Sequence, residues 1–149
     1  MRAVVQRVAN ASVTVDGATV GKIKKGLLIY LGIASDDTER DLNYIANKIS
    51  GLRIFPSSDG LMNLSVLDIS GDTLIVSQFT LQGDVRKGRR PSFSNAMPPD
   101  KASVLYERLC ERLTQIGLRC ERGVFGAMMQ VASINDGPVT ILIDSRKLF

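Results

Sequence analysis

Histidine and tryptophan are absent from this chain of 149 residues, and only two cysteines occur, Cys110 and Cys120. The missing imidazole excludes the usual general base, the Ser-His-Asp and Cys-His triads, and the commonest zinc ligand. The two thiols form no CxxC pair and lack metal-ligand spacing, so we expect both to be reduced packing residues. The sequence therefore predicts chemistry that proceeds without imidazole, with no metal and no cofactor.

Long hydrophobic runs are missing as well. The longest apolar segment, 27–33, contains Gly32 and is far shorter than the ~18–20 residues of a membrane span. The N-terminus has no apolar segment typical of a secretion signal. We therefore expect a cytoplasmic protein with no membrane partner.

With 44% hydrophobic residues, residues 1–149 are predicted to form one domain around one core.

Hydrophobic periodicity predicts an α/β protein. Strands are predicted at 2–8, 12–15, 19–23, 27–33, 52–55, 73–79, 118–122, 127–134 and 139–143. A first helix follows the acidic segment 35–39 and ends at Gly51, and a second spans Asp100–Ile116 with Gly117 past its end. We expect a single compact domain of mixed, mostly antiparallel sheets, packed in barrel-like layers, with two main helices on one side.

A long surface loop is predicted between residues 82 and 99, where glycine, proline, serine and arginine dominate. Loops of this length are usually functional or mobile. Arg86, Lys87, Arg89 and Arg90 fill four of five consecutive positions there, in a chain of formal net charge +4. Such a run favours phosphate as a partner, and the alternative is an ordinary solvated loop.

A Gly137-Pro138 step stands directly before an apolar strand. Glycine lets a ligand approach its carbonyl, while proline fixes the local backbone and gives the bond before it a realistic cis option. A rigid carbonyl that faces a pocket can test the stereochemistry of a ligand's α-carbon, which flexible side chains cannot do. The step is therefore a candidate chirality filter, and the alternative is an ordinary Asp-Gly-Pro turn.

Two segments, Gly137-Pro138-Val139-Thr140 and Ser77-Gln78-Phe79-Thr80-Leu81, closely resemble the D-aminoacyl-tRNA deacylase family. The resemblance covers nearly the whole chain, because residues 1–8, 60–65, 88–93 and 123–129 also match in order and at similar spacing. A related family with relaxed chirality departs from the Ser-Gln-Phe-Thr pattern. This chain keeps that pattern and so resembles the strict form.

The resemblance implies hydrolysis of D-aminoacyl-tRNA, and of mischarged glycyl-tRNA, with rejection of L-aminoacyl-tRNA. It implies a homodimer in which the Gly137-Pro138 segment of one subunit enters the partner's site, with Arg7 supporting that segment. It also implies that the terminal ribose hydroxyl of the tRNA assists the reaction while side chains contribute little chemistry. tRNA is thus the expected partner, and no DNA is expected.

The candidate catalytic residues are Ser77, Gln78, Phe79 and Thr80. Hydrolysis of an activated ester needs a placed water and a stabilised oxyanion more than a strong base. We expect the N–H groups around Phe79 and Thr80, at the end of a central strand, to bind the carbonyl oxygen. Thr80 is also a candidate nucleophile, although its hydroxyl is weak without an activating base, and the alternative role is a backbone hydrogen bond.

Phe125 and Met129, together with Phe79, are candidates to line the aminoacyl or adenosine pocket, since aromatic rings stack on bases and methionine adapts to varied shapes. The alternative is that they are ordinary core residues. Two other classes of function stay open. One is a non-catalytic RNA-binding module that uses the basic residues 86–90, and the other is a hydrolase of small D-amino acid esters.

Overall fold

The computed structural model describes the whole chain, Met1–Phe149. The elements, in chain order, are β1 (Arg2–Val15), β2 (Ala18–Ile23), β3 (Gly26–Gly32), α1 (Glu39–Gly51), β4 (Phe55–Pro56), β5 (Met62–Leu64), β6 (Asp72–Ser77), a 3-10 helix (Phe79–Gln82), α2 (Pro99–Ile116), β7 (Arg119–Arg122) and β8 (Gln130–Asp144).

The main sheet has the strand order β2-β1-β3-β6-β7, and β8 pairs with the opposite edge of β1. β1 is antiparallel to β2, β3 and β8, whereas β6 is parallel to both β3 and β7. Gly21 of β2 lies so close to β7 that an added Cβ would be 2.6 Å from the Arg122 carbonyl oxygen. The sheet therefore curls into a nearly closed barrel, which confirms the predicted fold class.

β3 is apolar along its whole length because both of its faces are buried. Leu27, Ile29 and Leu31 join a core of 23 residues that includes the inner faces of α1 and α2. Leu28 points the other way, into a smaller core of seven residues. The two helices thus cover one side of the sheet, as predicted, and the smaller core fills the inside of the curl. Neither helix has the length and hydropathy needed to cross a membrane.

β1 and β8 are each one long strand where the sequence predicts two. The ladder between them continues through the predicted gap in β1, with Asn10 opposite Ile134 and Ala11 opposite Ser133. In β8 the predicted gap is a bulge, and β8 is paired with β1 both before and after it. The prediction of separate strands is wrong because a bulge interrupts the alternation of side chains without ending the strand.

The predicted strand 73–79 is too long, since β6 ends at Ser77 and the chain turns into the 3-10 helix. This turn packs on the end of β3: a Cβ on Gly32 would be 2.7 Å from the Leu81 Cβ and 2.9 Å from the Gln78 carbonyl oxygen. The absence of a side chain at Gly32 therefore permits the turn. Of the predicted strand 52–55 only Phe55 lies in a strand, β4, which pairs with the unpredicted strand β5.

Candidate active site

The end of β6 is anchored to β3 by two hydrogen bonds. The Gln78 N–H donates to the Leu31 carbonyl oxygen at 2.7 Å. Further on, the buried side chain of Gln82 donates to the Gly32 carbonyl oxygen at 2.9 Å. The main chain between these two contacts is therefore held at both ends against the sheet.

Two N–H groups in this anchored turn, those of Phe79 and Thr80, stand at the start of the 3-10 helix and have no acceptor within it, because the first N–H groups of a helix lack an intrahelical partner. Both residues are exposed, so solvent or a ligand can satisfy these donors. Two adjacent free donors are what an oxyanion site requires. The Thr80 hydroxyl accepts a hydrogen bond from the Gln78 amide, and no acidic or basic side chain hydrogen-bonds to it.

An apolar cavity of about 720 Å³ opens beside the turn, at the carboxyl ends of the parallel strands β3 and β6. Thirteen of its eighteen lining residues are hydrophobic, as in sites for small organic ligands. The lining residues are Leu31, Ile33, Val76, Ser77, Gln78, Phe79, Phe93, Ala96, Met97, Pro98, Pro99, Ala102, Phe125, Gly126, Ala127, Met128, Met129 and Val131. Small-molecule sites span roughly 300–1,000 Å³, so this volume is within the range of sites for small organic ligands.

Aromatic rings stand at two places in the cavity wall. The rings of Phe79 and Phe93 meet edge to face, with centroids 5.1 Å apart. Phe125 packs at 5.7 Å on Tyr106, whose buried hydroxyl donates to the Ile75 carbonyl oxygen at 2.8 Å. Burial raises the pKa of Tyr106 far above its usual value, so it remains a neutral donor. Phe125 is thus supported from behind by a fixed ring.

The cavity collects five of the predicted site residues, namely Ser77, Gln78, Phe79, Phe125 and Met129. Met129 is held over Gly123, where a Cβ would lie 2.6 Å from its sulfur. Thr80 lies in the adjoining turn without lining the cavity. The sequence analysis does not identify several lining residues that come from the loop 82–99 and from α2. The only sign of them in the sequence is that apolar residues occur within an otherwise polar loop. They include Phe93, Met97, Pro98 and Ala102.

The Gly137-Pro138 step lies in the bulge of β8, and the peptide bond between the two residues is cis. At this point one residue of β1, Arg7, faces four residues of β8, 136–139. Gly137 has φ +137°, a conformation that residues with side chains rarely adopt. The step is therefore neither an ordinary turn nor a regular strand segment.

Arg7 and Asn135 fix the shape of this bulge. The Arg7 guanidinium donates to two main-chain carbonyl oxygens, that of Asp136 at 2.9 Å and that of Ile54 at 2.6 Å. The Asn135 side chain accepts from the Val139 N–H at 2.8 Å. Asn135 is not among the predicted site residues, although asparagine commonly bonds nearby backbone in this way. The bulge is thus tied to both β1 and the chain before β4.

Arg7, Gly137 and Pro138 do not line the cavity of their own chain. Gly137 and Pro138 are exposed, and the Arg7 side chain is largely covered by its contacts. Within one chain the two parts of the predicted site are therefore separate.

The basic loop does not present four equivalent charges. Arg86 forms a two-point contact with Asp84, through Nε at 2.9 Å and a terminal nitrogen at 2.6 Å. These hydrogen bonds hold the pKa of the Asp84 carboxyl far below its usual range. Lys87, Arg89 and Arg90 are exposed and form no ion pair within the chain. Three charges of the run are therefore free to meet an external anion.

Both cysteines are free thiols, and Cys110 is fully buried in the main core. The neighbouring Cys120 sulfur and the burial itself raise the pKa of the Cys110 thiol. The protein contains no group of three or more side chains suited to hold a metal ion.

The fold and site together define a small α/β protein with an apolar cleft at the ends of two parallel strands and main-chain donors at its edge.

Comparison with known proteins identifies the family. The sequence model of the D-Tyr-tRNA(Tyr) deacylase family matches residues 4–144. The D-aminoacyl-tRNA deacylases of Thermotoga petrophila and Thermosipho africanus are 60% and 58% identical over 149 residues, covering all of each chain. The chain therefore belongs to the D-Tyr-tRNA(Tyr) deacylase family.

Two solved structures share the fold. One, named c-Myc DNA Unwinding Element Binding Protein, is 44% identical with a TM-score of 0.92, and the match covers 97% of this chain and 98% of that one. The other, a probable eukaryotic D-amino acid tRNA deacylase, is 22% identical with a TM-score of 0.81, over 95% and 97% of the two chains. The second likeness concerns the fold alone.

Proposed function

We propose that this chain hydrolyses the ester bond of D-aminoacyl-tRNA and releases the D-amino acid and free tRNA. Family membership supports the activity, since the family is that of D-Tyr-tRNA(Tyr) deacylases and full-length relatives bear the name D-aminoacyl-tRNA deacylase. The observation that carries the mechanism is the pair of free N–H groups of Phe79 and Thr80 at the edge of an apolar cavity.

In the proposed reaction, water attacks the carbonyl carbon of the ester. The charge that develops on the carbonyl oxygen is bound by the N–H groups of Phe79 and Thr80, which are already in place before the substrate arrives. The intermediate then collapses, the bond to the ribose oxygen breaks, and that oxygen takes up the proton that the water loses. The adjacent ribose hydroxyl of the tRNA relays this proton, so the protein needs no imidazole.

The side chains of the turn position these groups. Gln78 donates to the Thr80 hydroxyl and so fixes the orientation of Thr80 in the turn. The Ser77 hydroxyl lines the cavity and makes no hydrogen bond within the chain, which leaves it available to the attacking water. Phe125 and Met129 also line the cavity, and an aromatic ring and a sulfur suit the terminal adenosine.

The proposed chirality filter is the main chain at Gly137 and Pro138. Arg7 holds the neighbouring Asp136 carbonyl, and an added Cβ at Gly137 would lie 2.9 Å from the Arg7 guanidinium. Backbone fixed in this way excludes an L side chain by contact and does not attract the D side chain. Glycine has no side chain to exclude, so glycyl-tRNA is also a proposed substrate.

The filter must come from a second copy of the chain, because Gly137 and Pro138 do not line their own cavity. β8 offers the surface for this homodimer. It hydrogen-bonds to β1 alone, so its outer edge has unpaired main-chain groups. Ile134 and Leu142 on this strand are each 58% exposed. Long apolar edge strands are surfaces at which chains associate.

Purified protein should be assayed with four esters: D-Tyr-tRNA, L-Tyr-tRNA, Gly-tRNA and D-Tyr ethyl ester. We expect hydrolysis of D-Tyr-tRNA and Gly-tRNA, undiminished in excess chelator, with little reaction of the other two. Binding of tRNA without turnover of any ester would instead favour a non-catalytic RNA-binding module. Preferential turnover of the ethyl ester would indicate a hydrolase of small D-amino acid esters. Rejection of Gly-tRNA would contradict the steric filter.

A further inference from the structure

The loop between the 3-10 helix and α2 joins the free basic residues directly to the cavity wall. Near its base, Asp84 and Ser92 exchange two main-chain hydrogen bonds, of 2.8 and 2.9 Å. Lys87, Arg89 and Arg90 lie between these residues, at the tip. Phe93 follows Ser92 immediately and contributes its ring to the cavity. The loop is thus a short hairpin with charges at one end and an aromatic ring at the other.

Behind Phe93 the chain is fixed to the end of β3. The Ser35 N–H donates to the Asn95 carbonyl oxygen at 2.8 Å, and the Met97 N–H donates to the Ile33 carbonyl oxygen at 3.0 Å. The chain on this side of Phe93 is therefore fixed near the end of β3.

The ring of Phe93 rests on Phe79, whose main chain supplies one of the proposed oxyanion donors. The two rings meet at an interplanar angle of 71°. Phe79 is 58% exposed, and its ring has no other aromatic partner. Gly83 leaves room for this contact, because a Cβ there would lie 3.0 Å from the Phe93 ring. Phe93 therefore contributes directly to the position of Phe79.

We propose that Phe93 is a positioning residue that couples phosphate contacts at the loop tip to the oxyanion donors of Phe79 and Thr80. tRNA phosphates bound by the tip hold the hairpin, the hairpin holds Phe93, and Phe93 holds the Phe79 turn. Binding energy from a part of the substrate that does not react thereby increases kcat rather than only lowering KM. The coupling rests on the proposed deacylase function and specifies how the enzyme favours tRNA over small esters.

The test compares D-Tyr-tRNA with adenosine that carries D-tyrosine on its 3′ hydroxyl and has no phosphate. Phe93→Leu should lower kcat on D-Tyr-tRNA about ten-fold with little change in KM, and should lower kcat on the adenosine ester by a clearly smaller factor, because that ester makes no phosphate contact for Phe93 to transmit. Gly83→Ala, which pushes on the same ring, should have the same selective effect. Phe149→Leu, at an exposed phenylalanine far along the chain, is the matched control and should leave both substrates unaffected.

Replacing Lys87, Arg89 and Arg90 with glutamine should also lower kcat on D-Tyr-tRNA, and in the Phe93→Leu background it should raise KM without a further loss of kcat. Equal losses on both substrates would show that Phe93 is only a cavity wall and would overturn the coupling. Additive losses of kcat would overturn it as well. Failure of the unmodified protein to hydrolyse either ester would instead remove the proposed function itself.

Discussion

The contacts of the Thr80 hydroxyl favour a positioning role over a role as nucleophile. Its hydroxyl accepts a hydrogen bond from Gln78, and no basic side chain is in contact to remove its proton. We predict that Thr80→Ala retains D-Tyr-tRNA hydrolysis within about ten-fold, because the N–H group at position 80 remains. Single-turnover kinetics would measure the loss. A fall of several orders of magnitude, together with an acyl group trapped on Thr80, would contradict this role.

Arg7 is the second residue whose contacts define its role. Both of its bonds go to main-chain carbonyls, those of Asp136 and Ile54, in a geometry that needs a planar fork. We predict that Arg7→Lys destabilises the protein by about 1–3 kcal/mol and increases the hydrolysis of L-Tyr-tRNA relative to D-Tyr-tRNA. Denaturation and paired kinetic assays would measure the two effects.

Arg53→Lys is a matched control for this substitution. Arg53 also donates to a main-chain carbonyl, that of Asn63 at 2.7 Å, but its hydrogen bonds go to Asn63 and not to the Gly137-Pro138 bulge. The control should therefore lose stability while keeping full rejection of L-Tyr-tRNA. If both variants hydrolysed more L-Tyr-tRNA to the same extent, selectivity would depend on the overall stability of the protein and not on the contacts of Arg7.

At the residue scale the sequence predicts both the side chains of the site and the N–H groups of Phe79 and Thr80 as donors. Ser77, Gln78, Phe79 and Phe125 are recognisable from motifs, and all four line the cavity. The free N–H groups depend on where β6 stops, which is decided by packing over Gly32. Phe93 was missed, since nothing local marks an aromatic residue in a loop as part of a cavity wall.

At the scale of the elements, the basic residues of the loop differ in whether a carboxylate within the chain already pairs with them. Because Arg86 is neutralised by Asp84 while Lys87, Arg89 and Arg90 have no partner, only the last three should release counterions fully on binding tRNA. We predict that each of these three changed to glutamine flattens the log-log salt dependence of tRNA binding by about 0.7–0.9, and that Arg86→Gln changes it less. Titrations over a range of salt concentrations would measure the slopes.

If the slope were unchanged in the variants of all three free residues, the loop would be an ordinary solvated surface that does not contact tRNA phosphates. Lys22→Gln is a suitable control, because Lys22 is exposed on β2 and lies outside the loop. A change of slope there equal to that of the loop variants would show that tRNA binding responds to net charge rather than to this loop.

The start of α1 depends on a carboxylate. Asp41 accepts hydrogen bonds from the Thr38 N–H at 2.9 Å and from the Ser145 hydroxyl at 2.7 Å. Partial burial opposes ionisation, but the hydrogen bonds from Ser145 and Thr38 outweigh it and lower the pKa of Asp41 from 3.8 to about 2. A lowered folded-state pKa stabilises the protein above the unfolded value, and this contribution is lost as pH falls from about 4 through about 2.

We therefore predict that Asp41→Asn costs about 1 kcal/mol at neutral pH and removes part of the stability decline between pH 4 and 2. Urea unfolding at several pH values would measure both effects. Asp100→Asn, in the first turn of α2, is the control, since no hydrogen bond to its carboxylate is present. An equal change of the pH profile in both variants would contradict the role of the hydrogen bonds to Asp41.

Most elements could be predicted because apolar periodicity reports burial directly, as in β3 and the inner faces of the two helices. Strand ends were less predictable. Whether a Gly-Pro step ends β8 or bulges from it depends on Arg7, which is distant in sequence, as well as on the nearby Asn135. β5 was missed because Met62–Leu64 is short and mostly exposed, so it carries no alternating signal.

For the whole molecule, the composition predicts one domain, but it carries no information about how two parts of a site come together. The cavity and the Gly137-Pro138 bulge lie on different parts of the same chain. A homodimer resolves this separation if each bulge enters the cavity of the other subunit. The arrangement can be tested without a structure of the dimer, because the two parts of the site can be inactivated on different chains.

Two variants serve this purpose. Ala127→Trp fills the cavity from a turn that lines it. Gly137→Ala distorts the bulge, since the residue has φ +137° and its Cβ would lie 2.8 Å from the Val139 side chain. Each variant alone is predicted to be defective, the first in turnover and the second in turnover or in rejection of L-Tyr-tRNA. Refolding the two together should form heterodimers in which one site combines an intact cavity with an intact bulge.

If the filter acts between subunits, an equal mixture should recover about a quarter of the intact sites, because half of the dimers are mixed and each mixed dimer holds one intact site. The recovered activity should be selective for D-Tyr-tRNA and should appear only after the subunits have exchanged. Mixing without refolding is the control and should recover little. If the filter acted within one chain, no mixed dimer would contain an intact site, and the refolded mixture would show only the average of the two defective variants.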